Sequence, residues 1–134
     1  MSFVLDTTIV SALMRADPNP TRSLLARVPS EVGIPQPVLA EIRYGLARLK
    51  ASRRKRALLE RMSVLAQSIE RLVWDDAVSE AFGEIKAALE RRGERVDDFD
   101  LAIAAHAVAA GATLVTANTK HFARVPGLDL DDWS

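Results

Sequence analysis

Short apolar runs alternate along this chain with longer amphipathic stretches, and that alternation restricts the fold more than any other feature. "FVLD" at residues 3–6 reads as a strand, and a helical pattern follows through about Met14. "ADPNP" breaks that helix, because each proline disfavours helical geometry in the residue before it. A helix near Thr21–Arg27 and a strand at Val32–Ile34 come next, and "PQP" places Pro37 as the first residue of another helix. Within it Val38, Ile42, Leu46 and Leu49 recur three or four apart, marking one buried face. A helix through Leu58, Leu59, Met62 and Leu65 precedes "IERLVWD", read as a strand. "DDAVSEAFGEIKAALERRG" has acids in its first turn, arginines in its last and Gly93 as its stop. "LAIAAHAVAAG" is a helix stopped by Gly111, "ATLVTAN" a buried strand and "LDLDDW" a possible edge strand.

Strands separated by helices of this length predict a parallel sheet between helical layers, an α/β fold with a central, mainly parallel sheet. The 134 residues, about half of them hydrophobic, fit a single domain over 1–134. The absence of cysteine excludes a disulfide framework and a thiolate metal site, and fits a reducing compartment. "MSFVLD" lacks the basic and long apolar regions of a signal peptide, so a cytoplasmic protein is expected. Leu101–Asn118, the longest near-uncharged stretch, contains His106 and is broken by Gly111, which argues against a membrane span.

The formal net charge is zero, which does not suit a broadly basic nucleic-acid binder. Charge is nevertheless segregated. Arg43, Arg48, Lys50, Arg53, Arg54, Lys55, Arg56 and Arg61 face only Glu60 within their segment, whereas Asp97, Asp98, Asp100, Asp129, Asp131 and Asp132 dominate the C-terminal part. The basic run reads either as a solvated face or as a surface for phosphates.

In an open α/β sheet, ligands bind beyond the carboxyl ends of the strands. Asp6 ends the first strand, Glu41 lies one turn inside the helix after the second, Asp100 opens the helix at Leu101, and Asn118 follows the strand ending at Thr116. All four fall on that edge. Each has a structural reading as well: Asp6 as an N-cap, Asp98 or Asp100 as another, Glu41 as a helix-surface residue and Asn118 as a turn residue. His106 reads as a satisfied core histidine, His121 as an exposed turn residue and Tyr44 as a packing residue with a lesser claim to stack a base. Oxygen ligands drawn from separate segments suit a hard cation such as Mg²⁺ or Mn²⁺, and carboxylates crowded without one repel.

"FVLDTTIVSAL", "PVLAEIRYGL", "FDLAIAAHAVAAGATLVTANTKHFARVPGL" and the closing "DW" together resemble the PIN domain, specifically VapC-type toxins, across essentially the whole chain. The resemblance implies a PIN-like three-layer α/β/α sandwich and a Mg²⁺- or Mn²⁺-dependent endoribonuclease, paired with a VapB-type antitoxin and usually homodimeric. Asp6, Glu41 and Asp100 match the acidic metal ligands of that family and Asn118 its fourth site, with Thr8 and Thr116 in supporting positions. Arg43, Arg48, Arg53, Arg54, Lys55 and Arg56 then become candidates for holding the RNA backbone. Two positions depart from the pattern: Thr8 stands where Asn or Ser is usual, and Asp97 where glycine is usual. A catalytically degenerate module that binds an antitoxin or RNA without cleavage is the alternative. A haloacid dehalogenase-type phosphotransferase also ends its first strand in Asp, but needs a second Asp where Thr8 stands.

Overall fold

The computed structural model describes residues 1–134. Five strands, β1 (Phe3–Leu5), β2 (Val32–Pro35), β3 (Glu70–Leu72), β4 (Thr113–Val115) and β5 (Leu130–Asp131), form one sheet in the order β3-β2-β1-β4-β5. Every neighbouring pair is parallel, so the sheet is wholly parallel where mainly parallel was expected. β1 is central. Its Val4 sits opposite Gly33 of β2 on one side and Leu114 of β4 on the other.

Seven helices make the crossovers: α1 (Thr7–Met14), α2 (Pro18–Leu25), α3 (Gln36–Ala47), α4 (Arg53–Ser68), α5 (Asp76–Arg91), α6 (Asp98–Ala110) and α7 (Thr119–Phe122). From β1 to β3 the chain moves one way across the sheet, and from β3 to β5 it moves back. Right-handed crossovers therefore put α1–α4 on one face and α5–α7 on the other, which produces the three-layer sandwich. The reversal leaves a switch point between β1 and β4.

The core explains which elements tolerate which sequences. β1 and β4 carry Val4, Leu5, Leu114 and Val115, all fully buried, as strands covered on both faces require. α6 is buried along Leu101–Ala107, and its alanines allow close approach to its neighbours. The edge strand β3 exposes Glu70 and Arg71, charges that discourage pairing with another chain. Gly93 and Gly111, just past α5 and α6, adopt the left-handed backbone that glycine accepts without strain.

Several boundaries differ from the sequence reading. α2 begins at Pro18, because Pro18 and Pro20 occupy a first turn whose N–H groups lack helical partners anyway. α3 begins at Gln36 and ends at Ala47, which leaves Leu49 outside it and exposed. Of the four apolar residues assigned to α4, only Met62 is buried, since α4 packs at the periphery. The strand in "IERLVWD" stops at Leu72, and Val73 and Trp74 are exposed beyond it. α6 starts at Asp98, earlier than expected, because Asp97 caps it by accepting from the Phe99 N–H.

No helix is long and apolar enough to cross a membrane. Gly33 holds β2 close to its neighbour: a Cβ there meets Leu72 side-chain carbons at 2.9 Å. Gly33→Ala should lower stability by about 1–3 kcal/mol through overpacking. An unchanged urea midpoint for this variant would show that the β2–β3 contact is looser than described.

Candidate active site

Asp6 lies at the switch point. Its backbone N–H bonds the Val115 carbonyl at 3.0 Å, so the chain leaves β1 still tied to β4. Its extended backbone then lets the side chain turn back over α1, where Oδ1 accepts from the Ile9 N–H at 3.1 Å. The capping role expected of Asp6 is real, but the residue is also only 3% exposed, and few caps are so deeply placed.

Two threonines surround this carboxylate. Thr8 Oγ1 donates to Asp6 Oδ1 at 2.6 Å and accepts from the Ala117 N–H at 3.0 Å. Thr116, fully buried at the end of β4, accepts from the Asn118 N–H at 2.9 Å. A hydroxyl has one hydrogen to give, and Thr8, which accepts from the Ala117 N–H, gives that hydrogen to Asp6. Burial raises the Asp6 pKa above its ordinary value, and the Thr116, Thr8 and Ile9 bonds offset this only in part.

The other acids stand around this centre. Glu41, half-buried on α3, accepts at Oε1 from Thr7 Oγ1 at 2.6 Å, which links α3 to the first residue of α1. Asp100, in the first turn of α6, accepts at Oδ2 from His121 Nε2 at 2.9 Å. Neither Asp98 nor Asp100 caps α6, correcting the sequence reading: Asp97 does, and Asp98 pairs with Lys86 at 3.0 Å. These engagements account for the extra acids and leave Asp100 as the one directed to α7. Asn118 holds the N-cap position of α7, is exposed and makes no side-chain cap bond.

The histidines and Tyr44 also need correction. His121 is a half-buried helical residue, because α7 packs it between Asp100 and Arg124. His106 is buried as expected, but only its Nδ1 is bonded, to the Ala102 carbonyl at 2.7 Å, and Nε2 has no partner. Tyr44 is exposed, with the Arg48 guanidinium 5.0 Å from its ring centre, so it packs against a cation and not in the core.

The predicted ligands thus share an edge without closing into a coordination sphere. No three acidic or histidine side chains stand close enough together to hold one ion as arranged. Their chemistry still fits a hard divalent cation: the donors are oxygens, and the innermost carboxylate is buried without a positive partner.

A groove of about 300 Å³ runs from Glu41 between α1, α3 and α4, lined by Thr7, Ser11, Arg15 and Arg54 among others. Arg54 of the basic run therefore shares a groove with an acid of the site. Arg43, Arg53 and Arg56 are exposed on the same helical pair. Lys55 bonds the Leu49 carbonyl at 3.1 Å and steadies the α3–α4 turn. Arg15 was not singled out from the sequence, since it lies outside the basic run and only the packing of α1 against α3 brings it to the groove.

The PIN domain family model matches residues 3–128. The chain belongs to the PIN-domain family. Among PIN-domain relatives, the tRNA(fMet)-specific endonuclease VapC of Shigella flexneri is 34% identical, covering 100% of this chain and 99% of the relative. Ribonuclease VapC2 of Rickettsia felis is 32% identical over 99% of this chain and 98% of its own. Solved PIN-domain structures agree with the fold: VapBC2 of Rickettsia felis bound to a promoter DNA fragment has a TM-score of 0.87 at 31% identity, with both chains covered fully. DNA-bound VapBC of Salmonella typhimurium has a TM-score of 0.89 at 29% identity, covering 100% of this chain and 99% of that one.

The raised pKa of Asp6 gives a pH-dependent prediction. The folded protein holds the Asp6 proton more tightly than the unfolded chain, so ionised Asp6 destabilises the fold at neutral pH. That penalty fades as pH falls through the raised value toward the ordinary 3.8. Asp6→Asn removes the charge and keeps an oxygen acceptor for Thr8 and Ile9. It should raise the urea midpoint of metal-free protein near pH 7, with the gain shrinking near pH 4. A lower midpoint for the variant at both values contradicts this account.

Proposed function

We propose that the chain is a VapC-type toxin: a Mg²⁺- or Mn²⁺-dependent endoribonuclease controlled by a VapB-type antitoxin and acting as a homodimer. The observation that carries the reading is the buried Asp6 carboxylate at the switch point of a PIN fold, with Glu41 and Asp100 on the same edge. The ribonuclease names of full-length relatives support the substrate class, and the VapBC structures support the partner.

Asp6, Glu41 and Asp100 would hold the cation, with the Asn118 carbonyl oxygen assisting. The chemistry supplied by a bound cation is Lewis acidity toward water and phosphate oxygen. Asp6 contributes a carboxylate whose orientation Thr8 and a helix N-terminus fix, so little reorganisation accompanies its use. Thr7 keeps Glu41 beside α1. Arg15 and Arg54, at the groove beside Glu41, attract the RNA backbone, and Arg43, Arg53 and Arg56 extend that field along the helical pair.

Water is the nucleophile in this reading. Its oxygen forms a bond to phosphorus, the P–O3′ bond breaks, and the 3′ oxygen leaves with a proton. The ribose 2′-OH takes no part, so fragments carry 5′-phosphate and 3′-hydroxyl ends. Thr8 supports the active reading over a degenerate one, since it makes the short bond to Asp6 despite its departure from the family pattern. The open arrangement of the acids favours the alternative, a module that binds antitoxin or RNA without cleavage.

Incubation of cellular RNA with purified protein and Mn²⁺ distinguishes the two. Cleavage should be abolished by EDTA and reduced at least about 100-fold by Asp100→Asn, because even groups supporting a ligand contribute about 10–100-fold. Intact RNA with folded protein and saturating Mn²⁺ would favour the binding module, while 2′,3′-cyclic phosphate ends would exclude a water nucleophile.

The groove gives a separate expectation. Arg54→Gln should weaken binding of single-stranded RNA and reduce the slope of log affinity against log salt by about 0.7, the loss of one phosphate contact. An unchanged slope removes Arg54 from the RNA path.

A further inference from the structure

His121 was read from the sequence as an exposed turn residue, yet the structure places it in a directed chain of hydrogen bonds that ends on Asp100. Its Nε2 lies 2.9 Å from Asp100 Oδ2, and its Nδ1 lies 2.7 Å from Arg124 Nη2. An arginine nitrogen has only hydrogens to offer, so Nδ1 must be the bare acceptor nitrogen. With Nδ1 as the acceptor, Nε2 is the nitrogen that donates, and its hydrogen points at the carboxylate.

Arg124 is itself immobilised. Its Nε donates to the His121 carbonyl at 3.2 Å and its Nη1 to the Arg95 carbonyl at 3.1 Å, so all three guanidinium nitrogens are engaged. Arg92 Nη2 donates to the Arg124 carbonyl at 3.2 Å and also grips Glu94. One side chain thus ties α7, which carries His121, to the segment that leads into α6, which carries Asp100. The same guanidinium bonds His121 directly and the backbone five residues before Asp100. Asp100 Oδ1 accepts no bond from the protein and stays available.

We propose that His121, held in its Nε2–H form by Arg124, is a positioning residue that sets the orientation of the Asp100 carboxylate for a divalent cation. The inference rests on the nuclease reading for the identity of that cation, whereas the hydrogen-bond chain stands on this structure alone. Partners of this kind are worth about 10–100-fold in metal affinity where they orient a ligand. His121→Gln can present an amide N–H close to the place of Nε2, and His121→Ala presents nothing.

The test combines two readouts on the whole chain. Nitrogen NMR of metal-free protein near pH 8 should show His121 with a protonated Nε2 and a bare Nδ1. Mn²⁺ affinity, measured by electron paramagnetic resonance, should fall about 10–100-fold in His121→Ala and return to within about threefold of wild type in His121→Gln. A purely structural role instead makes thermal stability the quantity that follows the substitution, with Mn²⁺ affinity unmoved in every folded variant. Equal Mn²⁺ affinity in wild type and folded His121→Ala overturns the inference, as does a protonated Nδ1. A wild-type protein that binds no Mn²⁺ contradicts the nuclease reading itself, and the role in holding a cation fails with it.

Discussion

A carboxylate kept almost out of water at the end of the central strand is the constraint around which this molecule is organised. Ionised groups resist burial, and the ordinary remedy is a cationic neighbour. Asp6 has none; its Oδ1 accepts from the Thr8 hydroxyl and the Ile9 amide, and the Ala117 N–H on the β4–α7 turn bonds that same hydroxyl. Those contacts orient the charge without neutralising it. A buried carboxylate without a cationic partner is the group on which the proposed cation site rests, and it stands at the switch point of a PIN-domain fold.

The surrounding acids follow the same logic. Glu41 and Asp100 reach the edge on α3 and α6, where Thr7 and His121 are their hydrogen-bond partners. Cationic side chains stand close by: Arg15, just past α1, and Arg54 of α4 share a groove with Glu41, and Arg124 lies behind His121. Acidic and basic side chains therefore occupy neighbouring surfaces. Net neutrality of the chain conceals this separation.

Much of this was readable from the sequence because local rules govern it. The apolar run ending in Asp6, the prolines on either side of Gln36 where α3 starts and the glycines past α5 and α6 act through backbone geometry within a few residues. The strand order was not readable, since nothing local says that β4 lies beside β1, and that adjacency brings the Val115 carbonyl to Asp6 and the Ala117 N–H to Thr8. Asp97, Asp98 and Asp100 were hard to separate because all three suit a helix start. Only the helix phase and the neighbouring Lys86 and His121 assign them different tasks. His121 and Thr7 were missed because they act through partners 21 and 34 residues distant in sequence, contacts that a pattern of spacings does not record. Leu49, placed on a buried stripe by periodicity, lies past the end of its helix.

The central claim is that Asp6, Glu41 and Asp100 form one cation site once the ion is present. Anomalous diffraction from crystals soaked in Mn²⁺ tests it most directly. The account predicts a single strong peak bounded by these three side chains, with carboxylate oxygens at about 2.1 Å and with Glu41 and Asp100 turned inward. A peak elsewhere on the molecule, or none at saturating Mn²⁺ with Asp6 well ordered, would contradict it.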